Sequence, residues 1–158
     1  MSESEPVPAL VEVHILAMPM DAYREASEHG DELMREFTLL LESGGEGARH
    51  VPQRLLALAE EVRGQFSSFT VAQEAQLQDA LARGLATVDL HYLVPAAVKE
   101  ACLTLAAALD EADEFCRQGD ELLTLSTPPR ALAFRRWFLD QFVRQVDGLA
   151  PTRWQEPA

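Results

Sequence analysis

Two short stretches of the chain each place a histidine two residues after an acid. They are Glu12-Val13-His14 within LVEVHIL and Asp89-Leu90-His91 within TVDLHYLV. Imidazole and carboxylate together are ordinary ligands for zinc, iron or manganese. At a spacing of two they share one face of an extended strand, because successive side chains alternate across it. If the two strands pair, Glu12, His14, Asp89 and His91 converge, and these four are the candidate metal ligands. The plainer reading is a solvated sheet face on which histidines and acids satisfy one another.

Nucleophilic and nucleotide chemistry find no such pattern. There is no GxSxG elbow, no GxxxxGK[ST] loop and no GxGxxG after a strand. Cys102 and Cys116 fall in one helical segment, about 21 Å apart along its axis. That is too far for a disulfide, and two cysteines alone make no zinc site. The glycine-rich run at 43–47 (SGGEG) follows a helix and carries an acid, so it reads as a linker. No enzyme and no cofactor is expected.

The elements that would position the four ligands follow from periodicity. Leu10–Leu16 alternates with period two, as does Thr87–Val94, and Pro19 and Pro95 close the two strands. The first face carries Val11, Val13 and Ile15, and the second Val88, Leu90 and Tyr92, with the acids and histidines opposite. Helix one is expected from Asp21 to Ser43 and helix two from Pro52 to Gln65. A third, connector helix is expected over 70–84, with Thr70 and Gln73 as a capping box and Gly84 as its stop. Helix four is expected over Ala96–Gln118. A short extended piece follows over Leu122–Leu125. Helix five, capped by Thr127, starts at Pro128 or Pro129 and ends before Gly148.

The two strands also head a repeat. VEVHILAMP lies over VDLHYLVP with one gap, and Pro52–Phe66 lies over Pro128–Phe142 with none. Pro19 to Pro95 and Pro52 to Pro128 are both 76 residues apart. The expected fold is therefore mostly α: a duplicated strand-helix-helix unit, 11–66 and 88–142, forming an internal pseudo-dimer with a small two-stranded sheet. Residues 9–147 make one domain, flanked by a disordered N-terminal tail (1–8) and a C-terminal tail (148–158). Helix one offers the seam Tyr23, Ala26, Gly30, Leu33, Phe37 and Leu40. Helix four offers Val98, Cys102, Leu105, Leu109, Ala112 and Cys116. Both suit helix packing, and Phe37, Phe115, Phe66 and Phe142 are expected to be buried.

With 158 residues the chain can bury a full core without disulfides. Acids outnumber bases 26 to 13, for a formal charge of −13, which opposes binding to phosphate backbones and anionic lipid. No nucleic acid and no membrane is expected as a partner. Glu3 and Glu5 stand where a signal peptide needs positive charge, so a cytoplasmic setting is expected. The basic cluster Arg130, Arg135 and Arg136 either pairs with the chain's own acids or meets an acidic partner or a ligand phosphate. The acids Asp110, Glu111, Asp113 and Glu114 read as a solvated helix face. Glu111, Glu114, Arg135, Arg136 and Trp137 are the candidate partner-binding residues.

The stretches EHGDELMREFTLLLES, VPQRLLALAEEVRGQF, VDLHYLVP and ALDEADEFCRQGDELLTLSTPPRALAFRRWFLDQFVRQ resemble a family of helical actinobacterial proteins. The likeness runs from about Val11 to Val146. Genes of that family often lie beside ATP-binding anti-sigma-factor kinases and STAS-domain antagonists. The resemblance implies a role in partner-switching control of transcription or stress response. The chain lacks the Asn and Gly boxes of the kinases and the four-strand sheet of the antagonists, so it implies a third component, with no catalytic residues to carry over. The function expected is a regulatory protein-protein interaction module, with a homodimer compatible. The alternative is a small-molecule or metal sensor whose site lies between the two repeats.

Overall fold

The computed structural model describes residues 9–43, 50–118 and 125–157. Their order is β1 (Leu10–Pro19), α1 (Met20–Glu42), α2 (His50–Ala82), β2 (Thr87–Pro95), α3 (Val98–Gln118) and α4 (Pro129–Val146). The protein is mostly helical with one small antiparallel sheet. The tail at 1–8, the linker glycines at 44–47 and the piece at 122–124 lie outside the described residues.

β1 and β2 pair antiparallel, with Val13 opposite Tyr92, His14 opposite His91 and Ile15 opposite Leu90. Alternation sorts their side chains as the sequence requires. Val13, Ile15, Leu90, Tyr92 and Val94 are buried, while Glu12, His14, His91 and Leu93 are exposed. The register shifts between Ile15 and Met18. Ala17 absorbs the extra residue at φ 50°, a left-handed conformation that costs a non-glycine residue roughly 1–2 kcal/mol.

A two-stranded sheet has two open edges, each a row of unpaired backbone groups. Here α4 lies along β1 and α2 along β2. Gln145 of α4 accepts from the His14 N–H at 2.8 Å and donates to the His14 carbonyl at 2.9 Å. Gln73 and Gln76 of α2 donate to the carbonyls of His91 and Asp89 at 2.6 and 2.9 Å. Side-chain amides thus stand in for a third and a fourth strand.

The helices close a ring in which α1 and α3 each contact both α2 and α4. One core cluster lies under the sheet, around Ile15, Met18, Tyr92, Phe66 and Phe142. A second lies further along the helices, around Leu33, Phe37, Leu55, Ala112 and Cys116. Phe37 meets half-buried Phe115 edge-on at 5.8 Å. The two seams expected of α1 and α3 therefore supply much of the second cluster.

Three local expectations are corrected. Helix two and the 70–84 connector are one continuous helix, α2. The run Ser67-Ser68-Phe69-Thr70 holds no Gly or Pro to stop it. Thr70 does not cap: its hydroxyl bonds back to the Ser67 carbonyl at 3.4 Å, and Gln73 goes to β2. Gly84 ends the helix as expected. At φ 66° it lets Leu85 N–H reach the Ala80 carbonyl at 3.0 Å, a Schellman closure that favours glycine. Thr127 likewise does not cap α4; Pro128 precedes that helix and no side chain caps it.

The third correction is the C-terminal segment, which is held against α4. Trp154 packs on Phe134 and Trp137 with ring centroids 5.9 and 5.8 Å away. Buried Gln141 exchanges hydrogen bonds with Thr152, at 2.7 and 2.8 Å. Arg130 reaches Glu156 at 2.7 Å and Asp21 of α1 at 3.0 Å. One large aromatic surface and two polar anchors hold a segment whose Pro and polar content suggests a loose tail.

Candidate functional site

The outward face of the sheet gathers the first candidates. Because Gln145 takes both backbone groups of His14, that residue's N–H and C=O point away from β2. His14 and His91 are therefore a non-hydrogen-bonded antiparallel pair, the kind whose side chains lie closest. Their rings stack with centroids 4.6 Å apart and planes 15° apart. Glu12 stands two residues before His14 and diagonally across from His91. Its carboxylate lies 3.9 Å from His14 Nε2 and 3.8 Å from His91 Nε2. One ligand atom from each of Glu12, His14 and His91 lies within 4.8 Å of the others.

Asp89, the fourth candidate, is not in this group. Its Oδ1 accepts the Ala17 N–H at 2.6 Å and so supports the bulge. The extra residue in β1 breaks the matched spacing that would have brought both carboxylates to the histidines.

Beside the histidines the same face is apolar. Leu10, Leu93 and, from α2, Val71 are 46, 45 and 63% exposed. With Phe69, Ala72 and Gln73 they line a shallow groove of about 370 Å³ that reaches His91. No described helix or strand covers it. Glu12, on the same face of the sheet and opposite Leu93, is exposed.

The residues expected to bind a partner are spread over α3 and α4, and most have partners within the chain. Arg135 is only 14% exposed and bridges Asp110 at 2.9 Å and buried Asp113 at 3.3 Å. Asp113 also accepts from the Thr127 N–H at 3.1 Å and from its hydroxyl. This network ties α3 to the start of α4, so Arg135 is part of the framework. Arg136 is exposed and reaches Asp110 at 3.5 Å. Trp137 is half-buried, with its Nε1–H on the Thr152 carbonyl at 2.9 Å. Glu111 is ion-paired to Arg54 across an open groove between α2 and α3. Glu114 meets Arg117 and Gln118 on its own helix.

Both thiols are buried. Burial pushes Cys102 up to about 12. Burial, helped by Asp113, pushes Cys116 up to about 11. Neither is a thiolate near neutral pH, so neither is poised as a nucleophile.

Sequence reasoning missed Gln73, Gln76 and Gln145, which hold the sheet and hence the histidines. A glutamine on a helix carries no local signal that it will meet a strand edge. Among the described residues, no helix is long and apolar enough to cross a membrane. No protein-family model matches the chain, and no curated protein or solved structure matches it.

Proposed function

We propose that the protein is a non-enzymatic, cytoplasmic regulatory module that docks a protein partner on the outer face of its sheet. The observation that carries this reading is the uncovered apolar groove of Leu10, Val71 and Leu93, beside a face that is otherwise charged. A run of neighbouring exposed apolar side chains with a polar rim is the usual form of an interaction surface. Glu12 opposite Leu93 and the charge of −13 select a partner that sets basic side chains beside apolar ones, since complementary charge governs partner choice and association rate. In the setting that the family resemblance implies, that partner belongs to a partner-switching system controlling transcription or stress response.

The site would lie at the junction of a duplicated unit. Supporting the duplication, strand-helix-helix order occurs twice. The matched residues His14 and His91 face each other in the register, as equivalent residues do on a two-fold axis. The gap in the repeat falls beside the bulge at Ala17.

Affinity capture from cells that make the protein, with quantitative mass spectrometry, tests the docking face. The wild type is compared with a Val71→Gln/Leu93→Gln double variant and with Leu39→Gln. Glutamine is chosen because a Glu at position 93 would face Glu12 across the strands. Leu39 is 51% exposed and lies about 29 Å along α1 from the sheet. One protein should be recovered by the wild type and Leu39→Gln and depleted at least about tenfold by the double variant, as expected when interface anchors are removed. Equal recovery by all three defeats the reading. A self-associating wild type that the double variant renders monomeric would make the occupant a second copy instead.

A further inference from the structure

We propose that Glu12, His14 and His91 form a binding site for one divalent late first-row metal ion, zinc foremost. This inference goes beyond the docking reading and does not rest on it.

The donor set comes first. Two imidazoles and one carboxylate suit zinc, and three protein ligands leave a fourth position open. The backbone is fixed before any ion arrives. His14 is held at both backbone groups by Gln145, and His91 at its carbonyl by Gln73. Strand pairing holds the two residues opposite each other. Among the described residues neither imidazole makes a side-chain hydrogen bond or ion pair other than its contact with Glu12. The rings are held together with their coordinating nitrogens unspent.

The distances fit a site before metal enters it. Zinc bonds of about 2.0–2.2 Å put tetrahedral ligand atoms roughly 3.3–3.6 Å apart. The carboxylate-to-nitrogen distances are 3.9 and 3.8 Å, and the widest separation in the group is within 4.8 Å. Closing it takes side-chain rotations of roughly 1 Å, open to groups that are about half exposed. A stack of two imidazoles kept only for packing would not need an acid within reach of both Nε2 atoms. All three side chains are exposed, on the side of the sheet that carries the apolar groove. An ion there would add positive charge to an acidic face and alter which partner charges it accepts.

The test uses untagged, full-length protein stripped with chelator, because an affinity tag of histidines would bind the same ions. Zn²⁺ is titrated calorimetrically, and Co²⁺ serves as a visible-absorption reporter of coordination. One equivalent of Zn²⁺ per chain is expected. His14→Ala, His91→Ala and Glu12→Gln should each weaken binding at least about tenfold, since loss of even an outer-shell partner costs that much at metal sites. His50→Ala, on α2 outside the cluster, should leave it unchanged. Circular dichroism of each variant guards against misfolding, and the three exposed positions give three independent chances of a folded variant. Absence of binding overturns the inference. So does binding undiminished in the His14 and His91 variants, or half an equivalent per chain, which would assign the ion to a bridge between two copies. None of these results bears on capture of a protein partner, so the two readings fail separately.

Discussion

Replacing Gln145 by Met should unmoor β1 while leaving the shape of the core nearly unchanged. Gln145 is 8% exposed, and its amide makes two hydrogen bonds, at 2.8 and 2.9 Å, to the backbone of His14. Met fills a similar volume but neither donates nor accepts well. Each bond contributes about 0.5–1.5 kcal/mol net, and a backbone group left unpaired in a buried place costs about 1–3 kcal/mol. The backbone bonds of His14 are only part-buried at the sheet edge, so its two orphaned groups are partly rescued by water. That argues for the lower half of the sum, about 2–4 kcal/mol. Urea unfolding followed by far-UV circular dichroism should show a lower midpoint at unchanged slope. In a chain of this length the melting temperature should fall by roughly 4–16 °C. Gln73→Met removes a single bond to the His91 carbonyl and should cost less. If Gln145→Met unfolds within about 0.5 kcal/mol of the wild type, the amide clamp does not hold the strand, and the positioning of His14 needs another explanation.

Two further outcomes follow from the buried and paired groups. Cys102 and Cys116, pushed up to about 12 and about 11, should react slowly with a thiol reagent at pH 8 and quickly in denaturant; rapid native labelling of both would contradict their burial. Asp21 and Glu156 are held below their ordinary values of 3.8 and 4.5, chiefly by the hydrogen bonds of Arg130. Their contribution is therefore present above those values and is lost as the pH falls through the depressed ones, so the C-terminal segment should loosen on acidification below the ordinary carboxylate range. Tryptophan fluorescence should report that release, and Arg130→Met should show it already at pH 7; a variant with the wild-type spectrum would leave the segment held by its aromatic contacts and the Gln141–Thr152 hydrogen bonds.

The strands were legible because one buried face imposes a strict alternation. That rule places Val13 and Ile15 inward and Glu12 and His14 outward without any structure. It fixes faces but not register, and register decides which ligands meet. The bulge was hidden because it falls on Ala17, where no glycine advertises a positive φ. Asp89 was therefore grouped with the histidines although it serves the Ala17 N–H. The long α2 was divided because Thr70 and Gln73 resemble a cap, a local signal overridden once Gln73 and Gln76 find the edge of β2. Helix α4 is rich in apolar residues, among them Leu132, Phe134, Trp137, Phe138 and Phe142. What covers it, Trp154 with Thr152, comes from a segment whose composition suggests a tail, because the packing of one tryptophan is a tertiary fact. The groove at Leu10, Val71 and Leu93 draws on β1, α2 and β2, so only the assembled fold reveals it.

Site-specific photo-crosslinking tests the docking face most directly. A photo-reactive amino acid is substituted at Leu93 in one variant and at Leu39 in another, and each is irradiated in cells that make the protein. The docking reading predicts a crosslink to one partner from position 93 and none to that partner from position 39. A partner captured from position 39 but not from position 93 would contradict it.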